Sequence, residues 1–171
     1  AVVGAGVRTG DGRRLLASLF VDATGGVTVH GKTNLHGVER EVFEAPGEFQ
    51  PLVDVAGWPA ALAVCYDAAV PAHAQAAADA GAELYLVSSW YDAPEYDRMN
   101  IHLASRAMDH RMYALGANHA RAPRRDSCGG SGIWGPDGTC ELRAGYSVQV
   151  IVADLDQDRL AELRTIDRDL T

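Results

Sequence analysis

AALAVCYDAAVPAHAQAAADAGAELYLVSSW, residues 60–90, reads as a strand, a helix and a second strand. Ala60–Val64 is a short, uninterrupted apolar run, the pattern of a buried strand. Pro71 suits the first position of a helix, AHAQAAADA forms its body, and Gly81 stops it. Glu83–Val87 is the next strand. Strands joined through a helix imply a parallel, right-handed crossover, and with it an α/β fold. Cys65 stands at the C-terminal tip of the first strand, and Ser88-Ser89-Trp90 at that of the second. Open α/β sheets bind ligands at that end. Cys65 is therefore a candidate nucleophile; the other reading is a small buried hydrophobe.

Upstream, residues 1–7 read as a strand, Arg8–Arg14 as a hairpin turn built on Gly10-Asp11-Gly12, and Leu16–Val21 as the returning strand. Asp22–Gly26 is a second turn and Val27–His30 a third strand, ending at Lys32. The opening AVVGAGV starts without turn or cap residues. The expectation is that residues are missing before Ala1, that this is an interior strand, and that its absent neighbour leaves an apolar edge open to pairing. Asn34–Pro51 is polar and irregular, with a turn at Pro46-Gly47, and reads as a functional loop.

Downstream, Glu95–Met112 is helical, with Tyr96, Met99, Leu103 and Ala107 on one face. Tyr113–Asn118 is a strand and Arg121–Gly130 a polar loop. Gly132–Trp134 and Thr139–Leu142 form a hairpin around the turn at 135–138. Tyr146–Leu155 is expected as a last strand and Asp158–Arg164 as a terminal helix. No repeat or internal boundary interrupts the chain, so residues 1–171 read as one domain, a mixed-sheet α/β layer protein.

The 47% hydrophobic and 22% charged composition is that of an ordinary globular chain. A net charge of −8 disfavours a nucleic-acid partner. Three cysteines without paired spacing argue against a disulfide framework and for reduced thiols in a cytoplasmic setting. No stretch approaches the ~18 apolar residues of a membrane span, and no secretion signal is recognisable.

Lys32 is the only lysine, beside fourteen arginines. Arginine replaces lysine where a surface cation suffices, but not where a compact donor is needed in a closed site. Lys32 is thus a candidate for a chemical role, with a solvated strand-end residue as the alternative. The histidines at 30, 36, 73, 102, 110 and 119 show no metal-binding spacing, and no cofactor is expected. His73 could pair with Cys65 as a cysteine–histidine dyad. Cys128 and Cys140 read as plain thiols, and the glycines at 129–132 lack the lysine of a phosphate-binding loop. Arg121, Arg124 and Arg125 read as a solvated loop or a contact for an acidic substrate.

In this order the motifs resemble the carbon–nitrogen hydrolase (nitrilase) superfamily. KTNLHGVE at 32–39 is similar to its lysine motif with a downstream glutamate, and AVCYD at 63–67 with Pro71 to its nucleophile motif. GAELYLVSSW at 81–90 resembles the strand that follows, SRAMDHRMY at 105–113 the arginine–alanine helix, and ANH at 117–119 the strand after it. GGSGIWGPDG at 129–138 is similar to the serine-bearing hairpin and VADLD at 152–156 to the closing strand. The resemblance implies an α-β-β-α sandwich that pairs with a second subunit, as a homodimer or larger homo-oligomer. It also implies attack by the Cys65 thiolate on a small amide, nitrile or carbamoyl carbon, through a thioester. Lys32 would stabilise the oxyanion together with the N–H of Tyr66. Glu39 would orient the site from behind, with Glu41 as competitor. Ser89 and Trp90 fall where substrate binds.

The chain departs from the family pattern twice. The family's general-base glutamate lies upstream of every matched motif, and no glutamate precedes Glu39. Ala69 stands where the nucleophile motif carries arginine, and Ala72 follows Pro71 in place of glutamate. The Cys65-Tyr66-Asp67 motif is closer to the amidase branches. The expectation is an amidase-like hydrolase; the alternative is a non-catalytic relative, or inactive fragment, that keeps the fold for assembly.

Overall fold

Two β-sheets pack face to face in the computed structural model, which describes residues 1–122 and 126–169. The first sheet holds β1 (Val2–Arg8), β2 (Arg14–Val21) and β3 (Val27–Gly31), antiparallel in chain order. Its turns are where the sequence puts them. At the second, the Asp22 carboxylate accepts the N–H groups of Thr24 and Gly26, while Gly25 takes a φ of 87°. A single helical turn, α1 (Glu39–Val42), lies inside the loop read as irregular.

The second sheet runs in the order β4 (Val53–Val55), β5 (Trp58–Val64), β6 (Leu84–Ser89), β7 (Tyr113–Asn118), β8 (Gly132–Trp134), β9 (Cys140–Arg143). β5, β6 and β7 are mutually parallel, and the outer pairings are antiparallel. The crossovers are α2 (Pro71–Asp79) and α3 (Tyr96–His110). The fold is thus the α/β type with mixed sheets.

Alternation along β5 sorts the two cores. Ala61 and Ala63 join Ala74, Ala77, Met99, Leu103 and Ala107 under the helices, whereas Ala60 and Leu62 join Leu84 and Tyr113 on the face towards the first sheet. Each fully buried leucine contributes roughly 1.5–3 kcal/mol. The sheets meet through small residues. Ser18 Oγ lies 2.9 Å from Ser88 Oγ and 3.4 Å from the Ala63 carbonyl oxygen. A Cβ added at Gly4 would stand 3.2 Å from Ser88 Oγ, so glycine permits this approach.

Two elements differ from the expectation. β4 and β5 form a hairpin closed by Ala56-Gly57, both at positive φ (54° and 87°), the geometry of a type I′ turn. Tyr146–Leu155 is not a strand. Its alternation is real, but among the described residues no neighbouring strand pairs with it, and Val148, Val150 and Val152 are 81–89% exposed. A strand exists by virtue of its ladder, and a sequence period alone does not supply one. VADLD instead leads into the last helix, α4 (Gln157–Asp169), where Asp156 Oδ1 accepts the N–H groups of Asp158 and Arg159.

β1 is an edge strand among the described residues, pairing only with β2. The register Val3–Leu19–Val29 sets an apolar row across the outer face of the first sheet, where Val3 is 51% and Val29 37% exposed. Such a face promotes association. Val3→Lys with Val29→Lys is expected to reduce light scattering of the concentrated chain while leaving its circular dichroism unchanged. Equal scattering would mean that this face does not drive association.

Candidate active site

Cys65 follows the last residue of β5 and opens a 3₁₀ turn, Cys65–Ala69. Its φ is 48°, a left-handed value rare for a residue with a Cβ. Such a conformation costs roughly 1–3 kcal/mol and is kept where surrounding contacts enforce it. Here it turns the thiol towards β6, where Sγ donates to the Trp90 carbonyl at 3.5 Å. Tyr91 Oη donates to the Cys65 carbonyl at 3.4 Å. Arg106 of α3 donates from Nε to the Ala68 carbonyl at 3.0 Å, closing the far end of the turn.

Lys32 is not a solvated residue. Its side chain is 1% exposed, and Nζ donates to both oxygens of Glu39 at 2.6 Å. Glu39 also accepts the His36 N–H at 2.7 Å, which fixes α1 against the lysine turn. Gln50 braces the strand end, exchanging hydrogen bonds with Gly31 as a further strand would (2.8 and 3.2 Å). Glu41, the competing carboxylate, is exposed.

Burial pushes the Cys65 thiol above its ordinary pKa; the backbone at Trp90 and the Lys32 ammonium oppose this, and Glu39 and Glu95 add to it. Cys65 lines a cavity of about 740 Å³ with Glu39, Ser89, Trp90 and His119, and β1 supplies its opposite wall. Trp90 stacks on His119 at 5.6 Å and donates from Nε1 to Asp92 at 2.9 Å. Both carboxylates that line the cavity are thus engaged, Glu39 on Lys32 and Asp92 on Trp90. A wider cleft of about 900 Å³ between β3 and β4 carries no thiol.

The structure separates other candidates from this cavity. The Tyr66 ring stacks on His36 at 4.5 Å, outside the cavity lining, which leaves only its main-chain N–H for the role expected of it. His73 is buried and its Nδ1 is paired with Tyr85 Oη at 2.9 Å. It points into the core beneath α2, so the cysteine–histidine dyad is not formed. Cys128 is buried and accepts from Asn118 Nδ2 at 3.0 Å, while Cys140 accepts from Arg143 at 3.1 Å. Arg121 pairs with Asp126 at 2.7 Å; Arg124 and Arg125 lie outside the described residues. No cluster of potential metal ligands occurs among the described residues.

Sequence reasoning missed Asn118, His119 and Asp67. Asn118 ties the 127–131 segment to the sheet, accepting the Tyr91 N–H and donating to the Gly129 carbonyl, both at 2.8 Å. A polar residue at the C-terminal tip of a parallel strand was the available signal.

With this geometry in place, comparison with known proteins gives the class. The carbon-nitrogen hydrolase family profile matches residues 1–165, and the chain belongs to that family. A hydrolase of Pseudomonas protegens, named for its position 5′ of pqqF, is 32% identical over 167 residues, covering 96% of this chain and 59% of its own length. A hydrolase of Mycobacterium tuberculosis is 29% identical over 177 residues, covering 91% and 62%. The chain therefore spans about three fifths of the length of these curated relatives. The amidase of Nesterenkonia sp. AN1 is 28% identical, with a TM-score of 0.80 over 99% of this chain and 69% of that one. A variant of that amidase shows Michael addition of acrylamide at its active-site cysteine. A nitrilase-superfamily member from Saccharomyces cerevisiae shares the fold at a TM-score of 0.86 and 22% identity, over 96% and 62% of the two chains. No helix among the described residues is long and apolar enough to cross a membrane.

Two outcomes follow from the geometry. Removing one partner of a buried ion pair strands the other charge, so Glu39→Ala is expected to lower unfolding stability by roughly 3 kcal/mol in a urea titration. The double variant Lys32→Met with Glu39→Leu should recover most of that loss. A raised pKa means less thiolate at a given pH. The rate of iodoacetamide alkylation at Cys65 should therefore inflect at higher pH in the folded chain than in denaturant, where a free cysteine titrates near ~8.5. Coincident inflections would show that burial does not hold the proton.

Proposed function

We propose that this cavity hydrolyses the carbon–nitrogen bond of a small linear amide, or of a related nitrile or carbamoyl compound, through a thioester on Cys65. The observation that carries the reading is the thiol held on a left-handed turn within electrostatic reach of a buried lysine ammonium. In this reading the Cys65 thiolate attacks the acyl carbon, and the carbonyl oxygen becomes an oxyanion. Lys32 Nζ and the Tyr66 N–H stabilise that charge. Glu39 keeps the ammonium aimed. For an amide or carbamoyl substrate the C–N bond then breaks, the amine leaving with the proton that the thiol gave up, and water splits the thioester, its OH going to the acid and its remaining proton back to the sulfur. Ser89 and Trp90 border the acyl group. Similarity to an amidase supports amides as the first class to assay. The reading includes a cytoplasmic homodimer or larger homo-oligomer, with which the exposed Val3, Val27 and Val29 on the outer face of the first sheet are consistent.

A second reading, a non-catalytic member that keeps the fold for assembly, draws on the engaged state of both cavity carboxylates, which leaves neither free to take the thiol proton. One assay separates the two. The protein expressed from its complete coding sequence is offered a panel of short amides, nitriles and N-carbamoyl compounds, and ammonia release is measured. The enzyme reading expects release that Cys65→Ala abolishes; a folded protein that releases none supports the second.

For the active protein, Lys32→Arg is expected to lower kcat by about 10²–10³-fold with a smaller change in KM. A planar guanidinium cannot place its donors where the ammonium stood, and one oxyanion donor is worth ~2.7–4 kcal/mol. Near-normal kcat would remove Lys32 from the oxyanion role.

A further inference from the structure

We propose that Asp67 is the positioning residue that locks the lysine turn onto the cysteine turn. The proposal rests on the reading of Cys65 as nucleophile and Lys32 as its cation. Asp67 is 1% exposed, and its carboxylate divides its two oxygens between the two segments. Oδ2 accepts the main-chain N–H of Val64, the residue before Cys65, at 2.9 Å. Oδ1 accepts both the main-chain N–H and the Nδ2–H of Asn34, two residues after Lys32, at 2.8 and 2.9 Å. The His36 ring, stacked on Tyr66 at 4.5 Å, is a second contact between the two segments, but it touches only the outside of the cysteine turn and makes no hydrogen bond to its backbone. His73 Nε2, 4.0 Å from Oδ2, backs the carboxylate from α2 and is itself held by Tyr85.

The physical requirement is plain. Cys65 occupies a backbone conformation that costs energy, and Lys32 sits on a different strand of a different sheet. Nothing in the chain's local preferences keeps Sγ and Nζ in register. A carboxylate with three charge-assisted hydrogen bonds does so, because each is shorter and stronger than a neutral one. The spacing also fits: Asp67 is the third residue of the turn that Cys65 opens, so its side chain folds back onto the N–H that precedes the turn. Asp67 touches no reacting atom and acts through the two residues that would.

The test reads the pH profile of iodoacetamide alkylation at Cys65 by mass spectrometry, with Cys128 and Cys140 as internal references and circular dichroism as the check on folding. In Asp67→Asn, loss of a nearby negative charge would by Coulomb's law ease thiol ionisation and shift the inflection down. Loss of register with Lys32 shifts it up. The proposal expects the upward shift, by about one pH unit, which is on the order of tenfold slower alkylation near neutrality. A downward shift, or none, in a folded variant overturns it. Because Asp67→Asn removes a buried carboxylate and can fail to fold, Asn34→Ala is measured as well. It deletes one of the three bonds and leaves Asp67 in place, and the proposal expects the same direction with smaller amplitude. An unchanged profile in folded Asn34→Ala overturns the proposal on its own. The underlying reading fails separately: acyl donors such as p-nitrophenyl acetate would then leave no acyl group on Cys65 in the unsubstituted protein.

Discussion

A lysine ammonium shut away from water has to be neutralised where it lies, and much of this structure answers that requirement. Glu39 meets Nζ with both oxygens, and the short α1 turn exists at a point where the chain has little other reason to coil. Gln50 and the His36 N–H complete the brace. An isolated buried cation would cost several kcal/mol. The loop between β3 and β4 therefore cannot be rearranged without releasing or stranding that charge. The cysteine turn adds a second constraint, a left-handed backbone that survives only while its neighbours hold it. The site is assembled by two local penalties, each offset by its own set of contacts: Glu39 for the lysine, and Trp90 and Tyr91 for the cysteine turn.

Much of the fold was legible in the sequence. The crossover between β5 and β6 follows from an apolar run, a proline at a helix start and a glycine at its end. Asp22 and Gly25 announce their turn through the φ values and side-chain hydrogen bonds such turns require. The missed hairpin at Ala56-Gly57 has a physical explanation: alanine seldom takes positive φ, so the pair does not read as a type I′ turn. The unfulfilled strand at Tyr146–Leu155 shows the reverse. Its valines alternate as they would in a ladder, yet a ladder depends on what lies alongside, which no local pattern encodes.

The site was legible in part. A lone lysine among arginines and a cysteine at a strand tip are visible as residue choices, and the structure brings both to one region. Asp67 was quoted only as part of a motif, because a carboxylate's partners, Val64 and Asn34, are set by how the two sheets stack. His73 misled for the same reason: eight residues from Cys65 in sequence, it is turned by α2 towards Tyr85. Proximity along a chain says little about direction once a helix intervenes.

The seam of small residues between the sheets makes the floor of the cavity adjustable from behind. Gly4 and Gly6 belong to the wall that faces Cys65, and Gly4 also rests on Ser88 across the sandwich. A bulkier residue there would act as a wedge: it would part the sheets beneath the thiol and change the depth of the cavity without touching the mouth, where Trp90 and His119 sit. The depth of such a chamber is governed by the thickness of the sandwich as much as by the residues around the opening. Gly4 and Ser88 therefore set the room behind the thiol from the seam of the sandwich itself, although neither carries a charge.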